Sequence, residues 1–279
     1  MPGTLFVVAT PIGNLEDISM RALRVLREAA VIAAEDTRRT AHLLARYAIA
    51  TPTTSLHAHN EATKVPALLA RLERGDHVAL VSDAGTPTVS DPGRLLVDAA
   101  SRAGIKVEPI PGPSAAIAAL AVSGFAAESF MFAGFPPVKA KARAKWLERL
   151  RRTGGVVVFF EAPHRILSTL EWLKETVGDV RASVGRELTK AHEQLVKGQI
   201  SAVLQEIGEP RGEFTVVVDI GQTTDIEPAT DRSPTAAVDE FYQLTNTTSK
   251  TKRAVVAELS QKHGIPANEL YRLIEAGKK

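Results

Sequence analysis

Acidic side chains follow short apolar runs at four places in this sequence. Asp36, Asp83, Glu161 and Glu187 each come directly or within a few residues after such a run. Short apolar runs that end this way predict strands, and the run at 78–81 predicts a strand buried on both faces. Carboxylates grouped at strand ends are typical of polar-ligand binding and acid–base chemistry. Taken singly, each position fits a surface ion pair equally well.

Basic residues accompany these carboxylates, and glycine and proline occupy the neighbouring loops. Loops rich in these residue types span 10–15, 83–87, 111–114 and 161–165. Glycine allows the backbone to approach a ligand closely. Because the carboxyl ends of strands in an open α/β sheet converge on one edge, we expect the four loops to lie together.

The elements that must position these loops alternate between strand and helix. This alternation predicts an α/β domain over residues 1–124 and a second α/β domain over 125–221. Predicted strands span 5–9, 31–34, 78–81, 106–110, 129–133, 156–160, 181–184 and 214–220. Asp91 and Pro92 are predicted as the N-cap and first position of a helix that ends before Gly104, and Pro163 is predicted to begin another.

The C-terminal part of the chain differs from the rest. A polar segment with prolines predicts a linker over 222–233. Beyond it, helices are predicted at 235–244, 250–263 and 267–276, in a helix-turn-helix-like unit of residues 234–279. A unit this small can bury little core, so we expect it to pack on the body of the protein or on a partner.

Composition excludes several functional classes. Of the 279 residues, 44% are hydrophobic and 24% charged, which is ordinary for globular proteins, and there is no cysteine for a disulfide or thiolate metal site. No dinucleotide, Walker or G-x-S-x-G pattern occurs, and no histidine spacing indicates a metal, so a metal-free site is expected. The sequence indicates no signal peptide, and the apolar stretch at 115–127 is too short to span a bilayer. We therefore expect a cytoplasmic protein.

Positive charge is concentrated in one segment although the net charge is only +2. Residues 139–152 carry seven basic side chains and one acidic one. Such an excess can follow a phosphate backbone, and it also fits a solvated helix face.

Six motifs in order carry a resemblance to a known family. They are VATPIGNL (8–15), AEDTR (34–38), LVSDAGTP (80–87), PIPGPSA (109–115), EAPHR (161–165) and RELTK (186–190). With them the chain resembles bacterial small-subunit ribosomal RNA methyltransferases of the tetrapyrrole methylase-like superfamily. The family usually has Tyr-Glu-Ser-Pro-His-Arg where this chain has FEAPHR at 160–165.

The resemblance implies two α/β domains with S-adenosylmethionine in the cleft between them, and usually a homodimer. It also implies 2′-O-methylation of a decoding-region cytidine in the 16S rRNA of the small ribosomal subunit. Cofactor contacts are implied for nine residues: Pro11, Gly13, Asp83, Gly85, Ser114, Ala115, Glu161, Leu188 and Phe214.

Roles in that reaction follow as hypotheses. Asp36 or Glu161 would accept the proton of the ribose 2′-hydroxyl, directly or through His164. Basic residues would hold phosphates of the RNA. The alternative role of these residues is ion pairing within the protein. These residues are Arg38, Lys139, Lys141, Arg143, Arg165, Arg186 and Lys190.

Two alternative functions stay open at this stage. A tetrapyrrole C-methyltransferase would share the fold and cofactor, but it needs neither the basic segment nor the helical tail. A non-catalytic ribosome-binding protein would bind the cofactor without transferring a methyl group.

Overall fold

The computed structural model describes residues 1–126, 128–220, 234–247, 251–263 and 265–276. The chain divides into two units, Met1–Gln222 and Thr223–Lys279. All of the predicted linker at 222–233 lies outside the described residues, as do residues 248–250, 264 and 277–279 of the predicted C-terminal unit. The predicted domain boundaries stay predictions.

Five parallel strands with their connecting helices form the first sheet. They are β1 (Thr4–Val8), α1 (Met20–Glu28), β2 (Val31–Ala34), α2 (Thr37–Arg46), β3 (Thr53–Ser55), α3 (Glu61–Glu73), β4 (Val78–Val81), α4 (Arg94–Arg102), β5 (Lys106–Ile110) and α5 (Ala115–Ser123). The strand order is β3-β2-β4-β1-β5. Because every pair is parallel, all the carboxyl ends lie along one edge.

Helices cover both faces of this sheet. Every residue of β2 and β4 is buried, as their uninterrupted apolar runs predict. Leu26 belongs to the apolar cluster on one face, and Leu72 and Leu96 belong to the cluster on the other.

The second sheet is mixed. It is built from β6 (Phe130–Phe132), α6 (Ala140–Thr153), β7 (Val156–Glu161), α7 (Ile166–Val177), β8 (Arg181–Arg186), β9 (Gln194–Gln199), α8 (Ile200–Glu206) and β10 (Phe214–Asp219). Its order is β6-β7-β10-β8-β9, with only the β6–β7 pair parallel. Phe214 at the start of β10 therefore pairs with Glu161 and Arg186 at the ends of β7 and β8.

Helix α5 follows the last strand of the first sheet but packs against the second. Its Ala116 and Ala119 share an apolar cluster with Val156, Val158 and Val217. Small side chains on α5 permit this close approach, so the helix connects the two sheets.

Two predicted helix starts are wrong. Helix α4 begins at Arg94 with Gly93 as N-cap, because Glu61 from α3 accepts hydrogen bonds from the backbone N–H of Gly93 (3.1 Å) and Leu95 (2.7 Å). A carboxylate distant in sequence thus replaces Asp91 as the cap. Helix α7 begins at Ile166, three residues after Pro163.

Besides a single 3-10 turn at Leu15–Asp17, three elements of the described residues were not predicted: β3, β9 and α8. Each is short, and β3 and β9 are edge strands with few buried residues. Their apolar pattern is therefore weak in the sequence.

The C-terminal unit contains the three predicted helices, here α9 (Pro234–Thr247), α10 (Lys252–His263) and α11 (Ala267–Ala276). They bury an apolar cluster of their own that includes Phe241, Leu259 and Leu270. The Tyr242 hydroxyl donates to the carbonyl of Ile274 at 3.1 Å and ties α9 to α11. Across the described residues, no helix combines the length and apolar character needed to cross a membrane.

Candidate active site

A cavity of about 370 Å³ lies where loops from the two sheets meet. This volume is in the range of small-molecule sites. Six of the nine predicted cofactor residues line it: Gly85, Ser114, Ala115, Glu161, Leu188 and Phe214. Pro11 and Asp83 line a neighbouring cavity of about 90 Å³ instead, and Gly13 lines neither.

The first-sheet side of the cavity is made of loops tied together through backbone groups. Thr10 and Gly85 exchange two backbone hydrogen bonds of 2.9 and 3.0 Å. The buried Thr10 hydroxyl donates to the carbonyl of Ser82 at 3.2 Å. These bonds fix the loops after β1 and β4 to each other, as the convergence of strand ends predicts.

The loop after β4 contains an unusual run of left-handed backbone. Thr88 and Ser90 have φ of 71° and 68°, although neither is glycine. Such residues cost about 1–3 kcal/mol each and concentrate at functional sites. Ser90 lines the cavity, so the strained conformation shapes its wall.

Asp91 is a cavity carboxylate that the sequence analysis assigned to a helix cap. Burial raises its pKa to about 6, and the charges of Glu35 and Asp83 add to this while a hydrogen bond with Ser82 opposes it. Burial is also the main cause that raises the pKa of Glu35. With a pKa of about 6, Asp91 can change protonation near neutral pH.

The second-sheet side is held by a network of ion pairs. Lys190 Nζ lies 2.9 Å from Glu187 Oε1 and 3.0 Å from Glu213 Oε2. Burial alone would raise the pKa of Glu187, but hydrogen bonds from Lys190 and the backbone of Glu213 outweigh it and leave that pKa below its usual value. Burial would lower the pKa of Lys190, yet its two carboxylate partners raise it overall.

Gly13 is where the two sides touch. A Cβ at this position would lie 2.4 Å from Lys190 Cγ and 2.9 Å from the carbonyl oxygen of Leu188. The next residue, Asn14, donates its backbone N–H to the Thr189 hydroxyl at 3.0 Å. Glycine is therefore required for packing between the loops, while its neighbour Ile12 lines the cavity.

Glu161 lines the cavity with a side chain that is fully buried and already engaged. Its carboxylate accepts from the Thr169 hydroxyl at 2.7 Å and from the backbone N–H of Ala162 at 2.8 Å. Arg165 Nη2 lies 3.4 Å from the same group. These contacts anchor the start of α7 beside the cavity.

The other two predicted acid–base residues lie outside the cavity lining. Asp36 caps α2, and hydrogen bonds from Arg38 lower its pKa to about 2. Its backbone N–H donates to Asp83 Oδ1 at 3.0 Å. His164 is exposed on the turn before α7.

The predicted RNA-binding residues separate into two groups. Lys139 and Lys141 are exposed, and Arg38 is exposed although it pairs with Asp36. The others have protein partners: Arg143 stacks on Trp172 with 4.4 Å to the ring centroid, Arg165 pairs with Glu161, Arg186 donates to the carbonyl of Arg211, and Lys190 joins the network above.

Three of the cavity residues that the sequence did not assign to a site are chemically notable: Asp91, Phe135 and Glu213. A carboxylate inside the glycine-bearing loop after β4 was a signal for Asp91, but its position before Pro92 favoured a cap. Phe135 and Glu213 carried no local pattern that distinguished them from other surface positions.

Comparison with known proteins places this chain and its fold among methylases. Residues 4–204 match the family Tetrapyrrole (Corrin/Porphyrin) Methylases. A solved structure of uroporphyrin-III C-methyltransferase from Thermus thermophilus, complexed with S-adenyl homocysteine, superimposes with a TM-score of 0.56. It is 18% identical, and the match covers 78% of this chain and 97% of that one, so it shows the fold.

Curated relatives narrow this class. Ribosomal RNA small subunit methyltransferase I of Pasteurella multocida is 41% identical over 278 residues, covering 98% of this chain and 96% of the relative. The protein of the same name from Thermotoga maritima is 47% identical over 218 residues, covering 77% of this chain and 98% of the relative. The chain belongs to the tetrapyrrole methylase family, and within it to the ribosomal RNA small subunit methyltransferase I family.

Proposed function

We propose that this methyltransferase transfers a methyl group from S-adenosylmethionine to the ribose 2′-oxygen of a decoding-region cytidine in 16S rRNA of the small ribosomal subunit. One observation supports this above the others: near-complete alignment with a relative named for small-subunit rRNA methylation. The exposed lysines at the start of α6 also favour an RNA substrate over a tetrapyrrole.

The cavity fits the cofactor in its chemistry. Apolar side chains of Ile12, Leu188 and Phe214 can enclose a purine ring, and exposed polar groups beside them can bind ribose and amino-acid functions. Gly85, with φ of 77°, adopts a backbone conformation that favours glycine and forms part of the cavity wall on the first-sheet side. When bound, S-adenosylmethionine supplies a methyl group already activated by its sulfonium charge.

The protein must then align the 2′-hydroxyl and accept its proton. The new C–O bond forms as the S–C bond breaks, and the hydroxyl proton passes to a base of the protein. Asp36, Glu161 and His164 remain our candidates from the sequence, and Asp91 joins them because it lines the cavity. A pKa of about 6 leaves Asp91 ionised at neutral pH yet able to take up a proton.

Variants distinguish these four candidates. Asp36→Asn, Glu161→Gln, His164→Gln and Asp91→Asn are assayed for turnover and for S-adenosylmethionine affinity. Loss of the base should lower kcat by roughly 100-fold or more with an unchanged cofactor Kd. Full turnover by a variant removes that residue from the proposed roles.

We further propose that exposed Arg38, Lys139 and Lys141 contact RNA phosphates, and that Arg143, Arg165, Arg186 and Lys190 do so by exchanging or sharing their protein partners. The C-terminal unit, with exposed Lys252, Arg253 and Arg272, is proposed as a second RNA contact. The protein is proposed to act in the cytoplasm and as a homodimer, and sedimentation analysis would test the homodimer.

Removing residues 223–279 should weaken binding to small subunits and spare cofactor binding. Equal affinity for small subunits with and without these residues would contradict the proposed role of the C-terminal unit.

The deciding experiment is methyl transfer from radiolabelled S-adenosylmethionine to small subunits that lack this modification. Label in 2′-O-methylcytidine after nucleoside analysis of 16S rRNA supports the proposal. Intact cofactor binding without label on subunits or naked rRNA would contradict it. Transfer to a porphyrinoid carbon would instead favour the tetrapyrrole alternative.

A further inference from the structure

Phe135 presents an aromatic ring at the cavity. Its side chain lines the cavity and yet is 53% exposed, which is high for a large apolar residue inside a site. Its ring centroid lies 5.5 Å from that of Phe160, another lining residue, which contacts Phe132 at 5.0 Å. The ring is therefore supported on one side and open on the other.

The backbone around this ring is held in place. The Gly134 carbonyl accepts from the Phe160 N–H at 2.9 Å, and the Pro136 carbonyl accepts from Arg165 Nη2 at 2.6 Å. Proline at 136 and 137 restricts the chain further. Since the segment is fixed, the exposed ring is a preformed surface, which lowers the entropy cost of binding a partner.

Positive charge begins a few residues further along the chain. Lys139 and Lys141 are exposed, and Lys139 is within about 14 Å of Phe135 by chain length alone. An open aromatic face beside cations matches a nucleotide, whose base stacks on the ring while its phosphates meet the charges. Aromatic stacking is used for unpaired RNA bases because every base has a π-face.

We propose that the Phe135 ring is the stacking surface for the base of the nucleotide that receives the methyl group. This inference rests on the proposed function. We expect the nucleotide that presents its ribose 2′-oxygen to a cavity of about 370 Å³ to leave the neighbouring RNA stack, as nucleotides do in enzymes that act on a base. Phe135 then replaces the lost stacking and holds the ribose over the cavity.

Four variants of the full-length protein test the proposal in the methylation assay with small subunits, with cofactor Kd measured in parallel. We expect Phe135→Ala to lower kcat/KM by roughly 10- to 100-fold, since stacking on a single base has that magnitude. Phe135→Trp should stay close to wild type, whereas Phe135→Leu should resemble Phe135→Ala because it keeps apolar volume without a ring. Val138→Ala is the matched control, since Val138 is exposed on the same segment outside the cavity lining.

Each outcome has one meaning. Aromatic rescue with an unchanged cofactor Kd supports the stacking surface. Wild-type activity in Phe135→Ala, equal activity of the leucine and tryptophan variants, or a cofactor Kd that weakens in step with turnover would overturn it and leave the proposed function intact. Failure of the wild-type protein to methylate small subunits would overturn the proposed function, and this inference with it.

Discussion

The two sides of the cavity are constructed differently. The first-sheet side is shaped by the backbone. Thr10 and Gly85 join two loops through backbone hydrogen bonds, and Thr88 and Ser90 adopt left-handed backbone conformations. The second-sheet side is held by carboxylates paired with cations, with Glu161 fully buried and Glu187 partly buried. Substitutions on the two sides should therefore have different effects. On the first-sheet side they should change the shape of the cavity and the protonation of its carboxyl groups, and on the second-sheet side they should lower the stability of the fold.

Removal of the Glu161 carboxylate should have the largest effect. Glu161→Ala leaves the buried Thr169 hydroxyl without its acceptor and Arg165 without its paired carboxylate. We expect the free energy of unfolding to fall by about 3 kcal/mol. Chemical denaturation measures this change.

Glu209→Ala is the control for that variant. Glu209 also pairs with an arginine, Arg211, but both side chains are more than 70% exposed. An exposed pair contributes little, so its loss should leave the denaturation midpoint unchanged. Equal effects of the two substitutions would contradict the contrast between buried and exposed pairs.

A side chain at the junction of the two sides should have the next largest effect. Gly13→Ala places a Cβ within 3 Å of the 188–190 turn, so one loop must shift. We expect a loss of about 2 kcal/mol in unfolding free energy, together with weaker cofactor binding. Calorimetry measures the change in unfolding free energy, and titration with S-adenosylmethionine measures the change in cofactor affinity. An unchanged melting temperature would show that the loops move apart at no cost in stability.

The pH dependence of stability tests the role of Asp91 on the first-sheet side of the cavity. Because its folded-state pKa of about 6 exceeds the usual 3.8, the folded protein holds this proton more strongly than the unfolded chain. Its contribution to stability is therefore favourable at low pH and is lost as the pH rises from about 4 to 6. Asp91→Asn should stabilise the protein by about 1 kcal/mol at pH 7, after allowance for its partial exposure, and by nothing below pH 4.

The measurement is the difference in unfolding free energy between wild type and Asp91→Asn across that pH range. A constant difference would show that the carboxyl does not titrate in this window. A difference that grows toward low pH would reverse the assigned direction of the shift.

The smallest effect is expected outside the cavity, on the exposed start of α6. Lys139→Ala/Lys141→Ala should weaken binding to small subunits by about three- to tenfold and reduce its salt dependence, because each lysine releases counterions from RNA. Arg24→Ala/Arg102→Ala removes the same charge from exposed, ion-paired positions elsewhere. Identical salt slopes for both double variants would remove α6 as an RNA surface.

Much of the fold could be predicted because its signals are local. Strands β2 and β4 are continuous apolar runs, and the glycines at 104 and 178 end helices as expected. Edge strand β9 lacked such a signal, since its pairing with β8 rather than its own side chains defines it.

The sequence by itself determined the two α/β domains, the helical tail, the methylase family and six of the twenty residues that line the cavity, since hydrophobic periodicity, glycine stops and ordered motifs are properties of neighbouring residues. Only the tertiary structure decided that Glu61 caps α4, that Asp91 lines the cavity, and that Phe135 is held open beside it. These depend on contacts between segments far apart in the chain. A side chain's role there is set by what packs against it.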